Sequence, residues 1–544
     1  MADKNSATQQ SSAVGKVYVR EASGMVRELG PLATLAVSAS IVAVGTAANL
    51  MQVFQAVIYP GSIINVGLTI ALLPAIFFGV MYVLFSMNMP RSGGDYVYVS
   101  RIIHPAIGFM MNFVLTFWLI IWWGSNFSGI VEYMVSPALG GYALATNNAG
   151  LLSFASSMGT NPNIVFAGGV IALILTGFFV ILGTKYTARF LLAGFIIGMI
   201  GQIVLMVLFA GTNQSSFTAA FNSHFSGVTS VSSIVQIAGK NGWTFTPLSW
   251  GPSIAAIPYA FLWYLGYNMS AYVAGEVKKV KSSMFIAILG SLLIGWIFYV
   301  LSAFFYANAV PYQFQQAASY LYYFAPSAYP TPIFPGPYFF VGLLTNNAVI
   351  AFLPLIAQVF WSALLPVAVA MVVTRNIFSW SFDRVVPRFF SDLNPHTHSP
   401  IKTTVIVCLI GVIFAWVWAY TTYLTLEINF ILALSIAFII PGIAGIMYPY
   451  FKKDQWTNTP AARYKIGSLP LIVVCGAVSV VFYIYLAYEC YVTPAISGPV
   501  GVGVISLIAA TFVAAPIIYY VSRWYHMRKE GIDIGVAFRE VPPG

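Results

Sequence analysis

Residues 258–270 read PYAFLWYLGYNMS, within an apolar run that extends from residue 251 to residue 275. A helix needs about 20 mainly apolar residues to cross the hydrocarbon layer of a membrane, so this run is long enough to span it. Gly266 is the weakest helix former in the run, and Asn268 places a polar group near its middle. We predict a membrane helix that is interrupted near its centre. A packing glycine with an asparagine bonded to a neighbouring helix is the alternative interpretation.

The composition of the chain excludes several classes of protein. Of its 544 residues, 59% are hydrophobic and 7% are charged, whereas a soluble domain is about 25% charged. Polar residues are too few to cover the surface of a soluble protein of this size. We therefore exclude soluble enzymes, disordered proteins and fibrous proteins, and we assign the chain to the integral membrane proteins.

Apolar runs of spanning length predict an all-α integral membrane protein with twelve transmembrane helices. No stretch alternates with a period of two residues, which excludes a β-barrel. The predicted spans lie at 31–58, 61–87, 105–135, 163–183, 187–210, 251–275, 284–309, 346–378, 401–423, 427–451, 467–488 and 497–524.

Basic residues predict the orientation of these spans, because Lys and Arg are enriched in cytoplasmic segments. With the N-terminus inside, 23 of the 24 Lys and Arg residues fall in cytoplasmic segments, and only Lys240 falls in an outer loop. Both termini are therefore expected to be cytoplasmic, in a multi-pass protein of the cell membrane. The excess of basic residues follows from this placement, so we expect a lipid bilayer and no nucleic acid as partner.

Span one contains small residues at 38–49, SASIVAVGTAAN, where a helix can pack closely or break. This segment and the predicted break in span six lie five spans apart, which suits two repeats of opposite orientation. We expect repeats at about 31–210 and 251–451, which together form the transport core of spans 1–10. Accessory spans 11 and 12 then fill 452–524, with cytoplasmic tails at 1–30 and 525–544.

Three cytoplasmic motifs carry a resemblance to a known family. Residues 89–101 read MPRSGGDYVYVSR, residues 266–279 read GYNMSAYVAGEVKK, and residues 374–400 contain Asp383-Arg384-Val385-Val386-Pro387 followed by Asn394-Pro395. In this order they resemble the P-R-S-G-G-[DE]-Y-x-Y, G-[FY]-[DE]…E-V-K and R-D-x-x-x-P…N-P motifs of the amino acid–polyamine–organocation (APC) superfamily. The resemblance implies an amino acid permease of the leucine-transporter fold, with a five-plus-five inverted repeat and broken helices 1 and 6.

The resemblance also implies where the substrate binds. The family's glycine-rich turn in helix 1 maps onto Val44-Gly45-Thr46, which lacks the first glycine, and its acidic position in helix 6 maps onto Asn268. The gating aromatic residue is then Trp263 or Tyr264. Free amides at a half-helix N-terminus suit a carboxylate, and carbonyls at half-helix C-terminal ends suit an ammonium group. The predicted substrate-binding residues are Ile41, Val44, Gly45, Thr46, Trp263, Tyr264, Gly266 and Asn268, with Gln358 and Ser362 of span eight as further candidates.

Charged residues are absent from the central part of every predicted span, and Glu132, Glu427 and Glu489 lie near span ends. Since a cationic side chain would need a buried carboxylate, we expect neutral amino acids as substrates. A polyamine or cationic amino acid carrier, or an exchanger, is the alternative. Coupling to H⁺ or Na⁺, exchange and facilitated diffusion all stay open. Glu132 is interpreted as a proton site or as a snorkelling surface carboxylate, and the second is favoured.

The cytoplasmic motifs predict an inner gate made of charged pairs. Arg91, Asp95 and Arg101 are expected to pair with Glu276, Asp383 or Arg384. A static role in fixing membrane topology is an equally good interpretation. On the outer side, the aromatic loop 310–345 predicts either a lid or an interfacial anchor.

Other functions find less support in the sequence. Three distant cysteines and the pair His396 and His398 give no metal-ligand pattern, and no phosphate-binding loop is present. We expect no cofactor, no metal and no enzymatic activity. A channel lacks its charge rings or filter repeat, and an amino acid sensor would use the same pocket as a carrier.

Overall fold

The structure, a computed structural model, describes residues 25–331, 333–421, 429–494, 498 and 500–539. Predictions for the tails before residue 25 and after residue 539, and for Glu427, lie outside these residues. The α-helices are α1 (Pro31–Val42), α2 (Val44–Ile58), α3 (Ile64–Asn88), α4 (Asp95–Ile102), α5 (Pro105–Ile130), α6 (Ser136–Ala145), α7 (Ala149–Thr160), α8 (Pro162–Ile181), α9 (Thr184–Ala210), α10 (Gln214–His224), α11 (Val231–Lys240), α12 (Trp250–Ala255), α13 (Ile257–Leu262), α14 (Val280–Ala309), α15 (Tyr312–Phe324), α16 (Val341–Leu344), α17 (Ala348–Phe382), α18 (Ile401–Tyr420), α19 (Phe430–Phe451), α20 (Lys453–Thr457), α21 (Leu471–Val492) and α22 (Val502–Glu530).

Short elements complete the described chain. A π-helical turn, Val131–Val135, joins α5 to α6, and a hairpin of β1 (Lys465–Ile466) and β2 (Leu469–Pro470) precedes α21. The 3₁₀ turns are Met269–Tyr272, Ala274–Glu276, Pro326–Ala328, Arg388–Ser391, Pro460–Arg463 and Ile534–Phe538.

Within the described residues, 11 helical segments are long and apolar enough to cross a membrane. They correspond to the predicted spans except the one at 251–275, which is divided into α12, α13 and two 3₁₀ turns. The chain is therefore an all-α membrane protein, although this sixth segment does not form a continuous spanning helix. The inverted repeat stays a prediction.

Two interruptions lie inside predicted spans. Ala43 adopts a left-handed conformation (φ 50°, ψ 53°), which ends α1 and begins α2. Helix α13 ends at Leu262, and the chain turns through Gly266 at φ +99° before its 3₁₀ turns. The break in span six thus lies where the sequence predicts it, whereas that in span one falls one residue before the predicted Val44-Gly45-Thr46 turn.

A glycine seam holds α9 against α17. A Cβ atom at Gly194, Gly198 or Gly201 would lie 2.2–2.9 Å from side-chain atoms of α17. These glycines therefore allow the two helices to approach more closely than larger residues could. Helix α17 in turn packs against α1 and α2, so the seam fixes the scaffold beside the first break.

The outer connections contain more helix than the sequence predicts. The third span continues through the π-helical turn to Ala145, ten residues beyond its predicted end at 135. The polar loop at 211–250 includes α10 and α11, which begin at Asn213 and Ser230 caps. Capping by these polar residues explains helices in segments without a continuous apolar run.

Candidate functional site

The two interrupted spans meet at their breaks. A Cβ atom on Gly266 would lie 2.2 Å from Cγ2 of Ile41, which lies one residue before the end of α1. Only a residue without a side chain allows this approach, and glycine also accepts the positive φ of the turn. The structure thus brings together Ile41 and Gly266, which the sequence analysis predicts for one site.

Trp361 of α17 fills the space beside the start of α2. A Cβ atom on Gly45 would lie 2.3 Å from its indole ring, and a Cβ atom on Gly198 of α9 would lie 2.6 Å from the same ring. The Trp361 side chain is fully buried. Since the ring fits only between two glycines, it sets the distance between the break in the first span and α9. Trp361 is not predicted from the sequence, although it lies between the predicted Gln358 and Ser362.

Tyr299 of α14 contacts both breaks through one hydroxyl group. Its oxygen lies 2.7 Å from the carbonyl oxygen of Val42 and 3.1 Å from that of Trp263, and the hydroxyl is the donor to both. Val42 is the last residue of α1, and Trp263 follows the last residue of α13. The carbonyls at these helix ends are therefore those of Val42 and Trp263, where the sequence analysis expects Ile41, Trp263 and Tyr264.

Several polar side chains around the breaks are buried without a hydrogen-bond partner in the part of the chain that the structure describes. They include four residues predicted for the site and one that was missed: Thr46, Asn268, Gln358, Ser362 and Trp361. Both polar atoms of the Gln358 amide belong to this set. Because a buried polar group without a partner is costly, such a cluster is typical of a site that binds a polar molecule.

Helix geometry provides charge complementarity at the site. The first amides of α2, at Val44, Gly45 and Thr46, have no partner within their own helix, because every helix begins with unpaired N–H groups. The ends of α1 and α13 present carbonyl oxygens instead. The arrangement can accept an anionic group at the start of α2 and a cationic group at the other two helix ends.

An aromatic cluster covers the site towards the predicted outer side. The ring of Trp263 stacks on Phe54 with centroids 6.4 Å apart and meets the edge of Tyr259 at 5.7 Å. Tyr323 of α15 lies 5.4 Å from Phe54, so the loop at 310–345 reaches this cluster. The loop therefore packs on the bundle beside the breaks, and a lid role for it stays a prediction.

Glu132 belongs to the same outer region. Its carboxylate accepts hydrogen bonds from the Trp418 indole at 3.2 Å and the Tyr322 hydroxyl at 3.4 Å. The favoured interpretation as a snorkelling carboxylate is therefore wrong, because the carboxylate bonds to α18 and to α15 of the loop.

A buried ion pair joins three elements on the predicted cytoplasmic side. Arg375 of α17 donates to both carboxylate oxygens of Glu276, at 2.9 and 3.1 Å, and both side chains are buried. Thr184, at the start of α9, donates to the same carboxylate. The predicted gating residue Glu276 thus pairs with Arg375, which the sequence analysis does not choose as its partner.

A second buried pair confirms the predicted contact between Arg101 and Asp383. Their side chains are 2.7 Å apart, and the Tyr96 hydroxyl donates to the same carboxylate at 3.0 Å. The guanidinium of Arg101 lies 4.6 Å from the ring of Phe538, near the end of the described chain. The C-terminal turn therefore covers this pair.

Asp95 differs from the prediction, because hydroxyl and amide groups hold it rather than a base. Tyr82 and Asn112 donate to its carboxylate at 2.9 Å each, and Tyr272 also donates to it. Two other predicted gate residues are bonded elsewhere. Arg384 pairs with Glu530 at 2.8 Å, and Arg91 donates to the carbonyl of Pro90.

The three sequence motifs converge at this side of the bundle. The amide of Gly93 donates to the carbonyl of Tyr272 at 2.9 Å, and the Ser379 hydroxyl donates to the carbonyl of Ser92 at the same distance. The turn at Gly93 therefore lies between the exit of the sixth segment and the end of α17.

Comparison with known proteins identifies the family of the chain. The family model described as "Amino acid permease" matches residues 29–521, nearly the whole chain. The chain belongs to the amino acid permease family. Among curated relatives, the permease is 26% identical over 230 residues to "Cationic amino acid transporter 4, vacuolar" of Arabidopsis thaliana. That match covers 40% of the permease and 35% of the relative. Membership confirms the resemblance to the APC superfamily that the three cytoplasmic motifs carry.

Proposed function

We propose that the permease is a secondary carrier that moves neutral amino acids across the cell membrane by alternating access. The observation that carries this proposal is the meeting of two interrupted helices at Ile41 and Gly266. Amides at the start of α2 would bind the substrate carboxylate, and the carbonyls of Val42 and Trp263 would bind its ammonium group. Both charges of a zwitterion then find partners in the main chain.

The side chains around the breaks support a neutral substrate. Those with unpartnered polar atoms are hydroxyl, amide and indole groups of Thr46, Asn268, Gln358, Ser362 and Trp361. Such groups can bond to the substrate without a buried charge of their own. A cationic substrate would need a carboxylate there, and the buried Asp95 and Glu276 are engaged in the cytoplasmic contacts described above.

The buried contacts on both sides suit alternating access. The aromatic cluster at Trp263 would open for substrate entry, and the Glu276–Arg375 and Arg101–Asp383 pairs would separate on opening to the cytoplasm. Coupling to H⁺ or Na⁺ or exchange of two substrates would supply the driving force. Both termini are placed in the cytoplasm, as the distribution of Lys and Arg predicts.

A carrier of cationic amino acids is the second candidate, because the relative from Arabidopsis carries that description. Uptake into proteoliposomes separates the two. Labelled leucine, alanine, lysine and arginine would be tested with and without gradients of pH and sodium. Saturable uptake of leucine or alanine supports the proposal, and saturable uptake of only lysine or arginine supports the second candidate. Binding without uptake indicates a sensor, and a non-saturating current indicates a channel.

A substitution tests whether the proposed pocket is the one used. Asn268→Leu removes a buried amide whose nitrogen has no partner among the described residues. We expect the KM for uptake to rise about tenfold, the effect of losing about 1.4 kcal/mol of hydrogen bonding. Asn308→Leu, at an exposed position of α14, is the matched control. Equal KM values in both variants would contradict the pocket.

A further inference from the structure

The Tyr299 hydroxyl lies where the proposed function needs a cation. The side chain is fully buried, and its ring lies 5.8 Å from that of Tyr264. The hydroxyl has one hydrogen, which is directed towards the carbonyl oxygens of Val42 and Trp263. The group is thus an internal donor that bridges the ends of α1 and α13.

These two carbonyls need a donor. The last carbonyls of a helix have no partner within the helix, and they lie at the negative end of the helix dipole. A buried carbonyl without a partner is destabilising. Tyr299 therefore removes this cost while the site is empty.

We propose that Tyr299 sets the affinity of the site for the substrate amine, because its hydroxyl occupies the ammonium-binding carbonyls in the empty carrier and is released when the substrate binds. This inference rests on the proposed function, because it takes these carbonyls as the ammonium acceptors. The substrate ammonium competes with the hydroxyl for them, so each binding event includes the loss of an internal hydrogen bond. A ligand without a positive donor leaves that bond in place, so the Tyr299 hydroxyl weakens the binding of amine-bearing ligands only.

Tyr299→Phe tests this role, because it removes the hydroxyl and keeps the ring. The empty carrier loses its internal donor, whereas the amine-bound carrier does not. We therefore expect the inhibition constant of L-leucine to fall about tenfold, as loss of one competing hydrogen bond predicts. That of 4-methylpentanoate, which is leucine without its amine, stays unchanged. Tyr306→Phe is the control on the same helix, where the ring packs against Phe209 and Phe340.

A second measurement excludes a merely structural effect. Without ligand, the Tyr299→Phe protein should unfold at a lower temperature than wild type, and saturating leucine should close this difference. A difference that persists at saturation, or a leucine constant that is unchanged or raised, overturns the role of Tyr299. A wild-type protein that binds no amino acid contradicts the proposed function instead, so the two failures are distinguishable.

A separate surface feature indicates a lipid site. A cavity of about 650 Å³ lies between α3 and α14, and Tyr464 and Leu471 also line it. Its walls are mostly apolar, with Val80 and Leu84 on one side and Phe285 on the other. Lys279 and Lys281 line the same cavity. Both lysines are exposed, and neither has an ion-pair partner in the described part of the chain.

The geometry points to an anionic phospholipid as the occupant of this groove. Its acyl chain would lie against Val80, Leu84 and Phe285, and its phosphate would lie near Lys279 and Lys281. The positive charges complement the phosphate, and the lysines lie on the predicted cytoplasmic side, where anionic lipids attract basic segments. Lys279 follows the Glu276 segment closely, so a bound lipid would stabilise the region of the buried ion pair.

Retention of lipid by the purified full chain tests this site. The protein would be reconstituted into vesicles of phosphatidylcholine containing phosphatidylglycerol and then extracted with detergent. The lipids that stay bound would be counted by native mass spectrometry. We expect K279Q/K281Q to lose one retained phosphatidylglycerol, and Val80→Trp, which fills the groove but keeps both lysines, to lose the same lipid. K185Q/R189Q removes equal charge from the start of α9 and should retain it.

Three results would overturn the lipid site. Equal loss of phosphatidylglycerol from the two double variants would indicate that general surface charge, and not this groove, retains the lipid. Full retention by Val80→Trp would show that the acyl chain does not lie in the groove. The third result is displacement of the lipid by inorganic phosphate at about 0.01 M, a concentration at which exposed charges are only weakly screened. Such displacement would indicate a site for a free anion.

Discussion

At the scale of single residues, the site depends on Gly266, where position and conformation both require glycine. The turn has φ +99°, and Ile41 lies where a Cβ atom would be. A residue with a side chain would strain the backbone and separate the two helices, and the left-handed conformation alone costs about 1–2 kcal/mol. The proposed pocket is therefore sensitive to one methyl group.

Gly266→Ala should accordingly abolish saturable uptake in proteoliposomes while the protein still inserts into the membrane. Gly239→Ala is the control, because no atom lies within 4 Å of the added Cβ and the residue has no positive φ. Wild-type uptake by Gly266→Ala would show that the contact with Ile41 is not required.

The sequence predicts some of these residues and not others for a physical reason. Gly266 and Asn268 interrupt an apolar run, so composition alone marks them. Ala43 does not stand out, because alanine favours helix and adopts its left-handed conformation only through tertiary contacts. Tyr299 and Trp361 belong to apolar spans, and only the position of the neighbouring helices shows which groups they contact.

At the scale of elements, the Glu276–Arg375 pair joins the exit of the sixth segment to α17. Both side chains are about 98–99% buried. Removing one partner of a buried pair leaves an uncompensated charge, which costs about 3–5 kcal/mol. Arg375→Met should therefore lower the midpoint of thermal unfolding in detergent by several degrees.

Lys402→Met provides the comparison for this experiment. It breaks the exposed Lys402–Asp392 pair, whose atoms are 2.7 Å apart, and exposed pairs contribute about 1 kcal/mol or less. Similar midpoints for Arg375→Met and Lys402→Met would contradict a stabilising role for the buried pair.

Asp95, the first residue of the short helix α4, makes a pH-dependent contribution to the stability of the folded protein. Burial raises the pKa of this carboxyl to about 6, although hydrogen bonds from Tyr272, Asn112 and Tyr82 favour its charged form. The unfolded carboxyl has a pKa of about 3.9. The folded protein therefore retains the proton to higher pH, and this contribution to stability, present below about pH 4, is lost as the pH rises to about 6.

Asp95→Asn removes this titration. We expect the unfolding midpoint of wild type, relative to that of the variant, to fall between pH 4.5 and pH 7.5, by no more than the equivalent of about 3 kcal/mol. A constant difference across this range would show that Asp95 titrates alike in the folded and unfolded protein.

Most element boundaries could be predicted because the hydrocarbon thickness fixes the length of apolar runs. The first span, predicted at 31–58, extends over Pro31–Ile58. The third span was predicted too short, because Glu132, Ser136 and Pro137 resemble a loop in composition. Hydrogen bonds to Glu132 and a π-helical turn keep the chain helical there.

At the scale of the whole molecule, the orientation in the membrane is the prediction with the largest consequences. The prediction places Lys240, alone among the Lys and Arg residues, on the outer side. In whole cells, Lys240→Cys should react with a membrane-impermeant maleimide, and Lys402→Cys should react only after permeabilisation. Native cysteines should give little background, because Cys475 and Cys490 are buried and Cys408 is half-buried.

The opposite pattern of labelling would reverse the assigned inner and outer sides and would place the aromatic cluster on the cytoplasmic face. Eleven of the twelve predicted spans match long apolar helices of the described residues, because each such segment is a local property of the chain. The arrangement of the segments could not, since pairs such as Gly198 with Trp361 join residues distant in the chain.

The turn that places Phe538 over Arg101 also bears on biosynthesis. Arg101 can meet Asp383 only after the ribosome has made the long stretch of chain between them, and Phe538 is made later still. The early helices are therefore inserted into the bilayer before Arg101 has its ion-pair partner. A nascent chain that stops before Ile534 would contain all the described spans and still leave that arginine without its contact to Phe538, so the turn at Ile534–Phe538 would mark a late step of assembly.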